Sequence, residues 1–311
     1  MLYNLALLFV RIDLNFFNLI IYFSDYNMRT LLTAYALPDI PVVLFWIFIA
    51  LGVLIQGISK SGFAGGAGII SVPLMMLVMP PDKVAATLLP LLILCDLNAI
   101  YIHRKNKIWK PIMEIYIPAI VGILIGSFMW WYMGEKGIKE YEKILKQFVG
   151  IIAITFAFYI YGREFSLKWV EKKSFGVRAG IIAGILAGIT STLAHAAGPI
   201  VSLFLFSKNL GKTLFVGTVA WTFTLINITK LPFYIAVGLV DWSVLKFDVF
   251  LIPFIPIGSF LGVWLHNKIS ERTFNFVIMV LTIIIGIQLL IGINPIEIII
   301  KAFVSTSSSV T

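Results

Sequence analysis

Between Pro41 and Ile293 the sequence is a succession of ten apolar segments, each closed off by a short polar or charged loop. A hydrocarbon core about 30 Å thick takes roughly 20 apolar residues per helix. In lipid every backbone N–H and C=O needs an internal partner, which only helices and closed barrels provide. Apolar runs this long and continuous read as helices, not as alternating strands. The fold class is therefore all-α, a polytopic transmembrane helix bundle. Composition agrees, with 60% hydrophobic and 13% charged residues, against about 25% charged in a soluble domain.

The segments read as Pro41–Ile58, Phe63–Met79, Lys83–His103, Pro111–Met133, Ile144–Tyr161, Phe175–Ser191, His195–Phe206, Thr213–Leu239, Val244–His266 and Phe274–Ile293. The second and seventh are short or interrupted by glycine, and whether they span or re-enter stays open. Residues 1–40 precede the bundle as an N-terminal segment, apolar but for charges such as Arg11 and Asp13. No small-residue cleavage site follows it, so it reads as an extra helix, an interfacial segment or an early start upstream of Met28. Residues 295–311 close on "STSSSVT" and are expected to fray.

The formal net charge of +9 belongs to cytoplasmic loops and not to a nucleic-acid footprint. The partners expected are the lipid bilayer and a small solute, and a homo-oligomer stays open. Cys95 is the single cysteine, which excludes an internal disulfide and a multi-cysteine metal site. No metal and no cofactor is expected.

The chain repeats itself. An offset of 131 residues pairs Gly57-Ile58-Ser59 with Gly188-Ile189-Thr190, Ser71 with Ser202, Thr87 with Thr218 and Asp96 with Asn227. "IGSF" at Ile125–Phe128 recurs at Ile257–Phe260. This divides the chain into repeat 1 at 41–162, an inter-repeat cytoplasmic loop at 163–174 and repeat 2 at 175–294. Five segments per repeat is an odd number, so the second copy inserts upside down. Loop charge points the same way: Arg104, Lys105, Lys107 and Lys110 follow the third segment, whereas Asp241, Lys246 and Asp248 follow the eighth. The first set reads as inside and the second as outside. The expected architecture is two inverted repeats of about five segments each, with broken or re-entrant glycine-rich helices.

"KSGFAGGAGIISVP", Lys60 to Pro73, puts poor helix formers at membrane depth. Broken helices are tolerated there where they are buried or line a cavity, and their N-terminal amides suit an anion. Gly65, Gly66 and Gly68 would aim such amides at a ligand, with Ser61 and Ser71 nearby. The equivalent break, "ITSTLAHAAGPIVS", offers Thr190, Ser191, Thr192 and His195, then restarts at Gly198-Pro199. Close packing is the competing reading of any glycine, and it is the one adopted for Gly180, Gly184 and Gly188, for Gly122 with Gly126, and for Gly258 with Gly262.

At these residues the chain resembles the TauE/SafE sulfite-exporter family. "SGFAGGAGIISVPLMML" followed by "VAATLLPLLILCDL" is similar to that family's N-terminal signature, and "GPIVSLFLF" with "VGTVAWTFTLINITKLPFYI" to its second copy. The resemblance covers Pro41 to Ile293. It implies an integral membrane permease for small anions, notably sulfite or organosulfonates, without a bound cofactor. Ala64 and Ala67 interrupt a glycine run common in relatives, and Pro90 stands where a hydroxyl residue is common. These departures bear on the substrate more than on the fold.

Ionisable groups inside a membrane are functional candidates by default. Asp96 is the candidate for a coupled proton, with helix bridging as the alternative. Lys230 either neutralises the anion or snorkels to a surface, and the same two readings apply to Lys60. His195 is either a pH-responsive group or a hydrogen-bonded structural one. Thr218, Thr222 and Thr224 with Asn227 and Thr229 form a polar stripe on the eighth segment, read as pore lining against threonines bonding their own helix. Trp130, Trp131 and Trp264 read as interface anchors.

"FSKNLGKT" ends like a nucleotide-binding loop but has Phe206 at the first glycine position and no strand before it. The function expected is a secondary transporter or facilitative exporter of a small anion by alternating access, not an enzyme. An anion channel is the alternative, and an intramembrane enzyme built on Ser191 or Ser61 with His195 is the remote one.

Overall fold

A computed structural model describes residues 34–38, 40–62, 66–165 and 175–292. Gly65, nearly all of 1–40, most of 163–174 and the tail 295–311 lie outside the described residues. The first half of the chain contains α1 (Val42–Gly62), a 3₁₀ turn (Gly66–Ile70), α2 (Ser71–Met75), α3 (Pro81–His103), α4 (Trp109–Lys136) and α5 (Ile138–Phe165). The second contains α6 (Val177–Ala194), α7 (Gly198–Phe206), α8 (Lys212–Ala236), α9 (Trp242–Val249), α10 (Phe254–Lys268) and α11 (Glu271–Ile291). All of these elements are helical.

Among the described residues, five helices, α1, α3, α4, α6 and α8, are long and apolar enough to cross a membrane. The two glycine-rich segments are not. The five residues of α2 and the nine of α7 reach about 8 and 14 Å at 1.5 Å per residue, well short of a ~30 Å core. Each follows a long helix, α1 or α6, so each half begins with a long helix, a break and a stub.

The ninth segment, expected as one helix over Val244–His266, is two. α9 and α10 bend by 52° and together make up the sixth candidate span. Pro253 causes the break: it has no N–H to donate, and its ring collides with the carbonyl four residues back, which is Val249, the last residue of α9. Pro256 sits in the first turn of α10, where its missing N–H is no loss. Asp241 caps α9, accepting from the amides of Ser243 and Val244.

This division corrects the loop-charge count. Lys246 and Asp248 belong to α9, and Asp248 is buried. Its two carboxylate oxygens have no hydrogen-bond partner among the described residues. Asp241, which precedes α9 as its cap, is the one acid of that set left in the loop. Trp130 is also corrected. It is 2% exposed and donates its indole N–H to the carbonyl of Thr192 at 2.9 Å. Successive residues lie about 100° apart on a helix, so the pair Trp130-Trp131 puts one ring inward and one, half exposed, toward lipid.

The most extensive helix pairings are α4 with α6, α1 with α10, α5 with α11 and α3 with α8. Glycine allows the first two. A Cβ on Gly188 would lie 2.2 Å from the carbonyl oxygen of Ala119, and one on Gly122 would lie 2.1 Å from that of Ile185. On the other pair, a Cβ at Gly258 would meet the Leu54 carbonyl oxygen at 2.5 Å, and one at Gly262 the Ile58 carbonyl oxygen at 2.6 Å. The backbones touch, so packing is what these glycines do.

Candidate functional site

Both breaks open on one small cavity of about 30 Å³. A cavity needs roughly 10–15 Å³ to hold a water, so the space suits a ligand of a few atoms. Its polar lining comes from Gln56 and Lys60 at the end of α1, Gly68 in the 3₁₀ turn, Ser191 and His195 at the end of α6, and Asn227 on α8. Gly198, the first residue of α7, completes it.

In the first half the end of α1 carries a polar face, because residues three and four apart lie above one another on a helix. Gln56 donates to the carbonyl of Gly68 at 2.8 Å, and Ser59 accepts from the amide of Gly68 at 2.7 Å. These two side chains clamp the 3₁₀ turn. A Cβ on Gly68 would come within 2.5 Å of Gln56 Oε1, so glycine is what lets the clamp close. Neither Gln56 nor Ser59 was among the sequence candidates; their signal was the i, i+3, i+4 spacing of Gln56, Ser59 and Lys60 in an apolar helix. Lys60 forms an ion pair with Asp96 and lies over the Phe223 ring at 4.7 Å.

Asp96 is fully buried on α3. Its second oxygen accepts from Asn227 Nδ2 at 2.6 Å, so the two positions related by the 131-residue offset touch. Lys230, one turn beyond Asn227 on α8, is also fully buried. It donates to Ser191 Oγ at 2.9 Å and to the Ser191 carbonyl at 3.1 Å, and it lies 3.0 Å from His195 Nδ1. Among the described residues no carboxylate pairs with it. Taking a charge out of water costs several kcal/mol unless it is compensated, so a charge on Lys230 calls for a counter-charge.

His195 stands at the end of α6 with φ 49° and ψ 30°. That left-handed conformation is strained for a residue with a Cβ and persists where its surroundings fix it. Here the amide of His195 bonds the carbonyl of Ser191, that of Ala196 bonds the carbonyl of Thr190, and the ring bridges Lys230 to the Ala85 carbonyl at 2.9 Å. The chain then restarts at α7, whose N-terminus has no side-chain cap. Gly198 lines the cavity from this end.

Among the sequence candidates, then, Lys60, Gly68, Ser191, His195, Gly198 and Asn227 meet at the cavity, with Lys230 bonded to Ser191 and His195 and Asp96 to Lys60 and Asn227. Others are elsewhere. Ser61 bonds Ser259 Oγ at 2.8 Å. Ser71 is buried at the start of α2 with its hydroxyl unpartnered among the described residues. The Thr190 and Thr192 hydroxyls donate to their own helix, to the carbonyls of Leu186 and Gly188. Thr218 accepts from the amide of Ile108 at 3.2 Å, and Thr222 bonds back to the carbonyl of Thr218. Gly66 begins the 3₁₀ turn, and Gly65 lies outside the described residues. No group of three or more metal-ligating side chains occurs among the described residues.

The family model for "Sulfite exporter TauE/SafE" aligns with residues 48–289. No curated protein and no solved structure matches the chain.

Proposed function

The chain belongs to the TauE/SafE sulfite exporter family, an integral membrane transporter family, and on that premise we propose that it moves a small sulfur oxyanion or sulfonate as a secondary transporter. The observation that carries the reading is Lys230, a buried ammonium without a carboxylate partner among the described residues, bonded to Ser191 and His195 of the small cavity between the two breaks. An anion bound there supplies the missing counter-charge. Ser191, the free N–H of Asn227 and the uncapped N-terminus of α7 replace its water shell. The small volume favours a compact oxyanion head.

Alternating access follows from the repeat. The second copy is read as inverted. In support, the first helix of each half packs against the fourth segment of the other, and the third and fifth segments pair with their own equivalents. Asp96 and Asn227, equivalent in the repeat, touch, as residues beside a twofold axis do. The two halves then rock about a site they share.

The test is transport by the purified protein in liposomes, measured for sulfite, sulfate, thiosulfate and sulfoacetate, with and without a pH gradient. Saturable flux of at least one of them supports the reading. A dependence on the proton gradient assigns coupling, for which Asp96 is the candidate. Absence of flux for all four overturns the substrate class.

A further inference from the structure

We propose that the site is balanced for a single negative charge, so that its ligand is a small oxyanion carrying one charge, and that Asp96 sets this limit by cancelling Lys60. This rests on the reading that the cavity holds the transported anion.

The charge count comes from hydrogen-bond partners. Lys60 and Asp96 form an ion pair and cancel. Asp96 accepts at both oxygens, one from Lys60 and one from Asn227, as a carboxylate does. With Lys230 as an ammonium, the contacts leave His195 uncharged. Its Nε2 faces the carbonyl of Ala85, which only accepts, so that nitrogen carries the hydrogen. Its Nδ1 faces the ammonium of Lys230, which only donates, so that nitrogen is bare. A doubly protonated ring would set an N–H against an N–H. Among the described residues Lys230 then remains as the single uncompensated charge, its three contacts, Ser191 O, Ser191 Oγ and His195 Nδ1, matching the three hydrogens of an ammonium. Residues 63–65, which join α1 to the 3₁₀ turn, are Phe, Ala and Gly and add no charge.

The site thus carries one positive charge. A monoanion closes the balance, whereas a dianion leaves an unpaired negative charge in a low-dielectric space, where it is costly. Monosulfonates such as methanesulfonate, hydrogen sulfite and other singly charged oxyanions fit. Sulfate, of similar size but doubly charged, does not.

The experiment compares methanesulfonate with sulfate, nearly isosteric anions of one and two charges at neutral pH. Both are measured by ion chromatography of proteoliposome contents. The wild type is expected to carry methanesulfonate in preference by about tenfold or more, since one charge within ~4–6 Å shifts a charge equilibrium by about one to three decades. Asp96→Asn frees Lys60, raises the site to two positive charges, and should move the ratio toward sulfate by about tenfold. Lys60→Met combined with Asp96→Asn returns the site to one charge and should restore the preference for methanesulfonate. Wild-type protein that carries sulfate as well as methanesulfonate overturns the inference, even if the variants fail to fold, and leaves the anion reading standing. So does a folded Asp96→Asn variant with an unchanged ratio. Transport of neither anion, together with none of sulfite, thiosulfate or sulfoacetate, overturns the anion reading and this inference with it.

Discussion

Lys230 and Asp96 stood out in the sequence because ionisable groups inside apolar segments are rare and expensive, and both lie in the polar cluster at the cavity. The sequence left each open between a site role and a structural one. The partners decide what they touch: Lys230 holds Ser191 and His195 and does not snorkel, being fully buried. The clamp residues Gln56 and Ser59 were overlooked because glutamine and serine carry no charge to flag them, and because their function is toward a backbone 12 and nine residues on. The threonines misled for the opposite reason: a hydroxyl on a helix has a carbonyl four residues back within reach, and Thr190, Thr192, Thr222 and Thr224 all use it. Gln56→Ala is expected to leave the buried carbonyl of Gly68 without its donor. An orphaned buried acceptor costs about 1–3 kcal/mol, so the variant should melt earlier in detergent and require more substrate for half-maximal flux. A variant with unchanged melting and unchanged half-saturation would contradict the clamp.

At the scale of elements, hydrophobicity and glycine placement marked most helices to within a few residues. They failed on the ninth segment, where apolar residues continue straight through the break and only Pro253 reports it. The breaks at Gly66 and Gly198 were legible because glycine and proline interrupt otherwise apolar runs. The long contacts of α4 with α6 and α1 with α10 were legible as small residues every fourth position, since that spacing keeps them on one face. Gly188→Leu tests this scale. Its side chain would enter the backbone of α4 at Ala119 and Gly122. Overpacking costs about 1–3 kcal/mol and sometimes more, and here the obstacle is a carbonyl that cannot turn aside. The variant should lose thermal stability in detergent even with substrate present. An equally stable variant would show that the two helices do not pack backbone to backbone.

For the molecule as a whole, the constant offset reads as a repeat, and the inverted arrangement is proposed from that offset and from the crosswise pairing of helices. Part of the charge argument did not survive, because Asp248 is buried in α9 and not displayed on a loop. Orientation is therefore best tested directly. The single cysteine, Cys95, is buried, so wild-type protein should react little with a membrane-impermeant maleimide. Lys105→Cys should label from the cytoplasmic side only, and Lys246→Cys, on an exposed face of α9, from the opposite side only. Labelling of both from the same side would overturn the inverted topology and the rocking motion built on it.

The proposed anion site rests on Lys230, buried and without a carboxylate partner among the described residues. The most direct measurement is uptake of labelled sulfite into proteoliposomes loaded with unlabelled sulfite, for wild type beside Lys230→Met, with each protein's fold checked by size-exclusion profile. Removing one partner of a buried charge pair costs about 2–5 kcal/mol, and about 1.4 kcal/mol is a factor of ten. The account predicts saturable exchange by the wild type and a loss of roughly thirtyfold or more in a folded Lys230→Met protein. Exchange by that variant at the wild-type rate would contradict it.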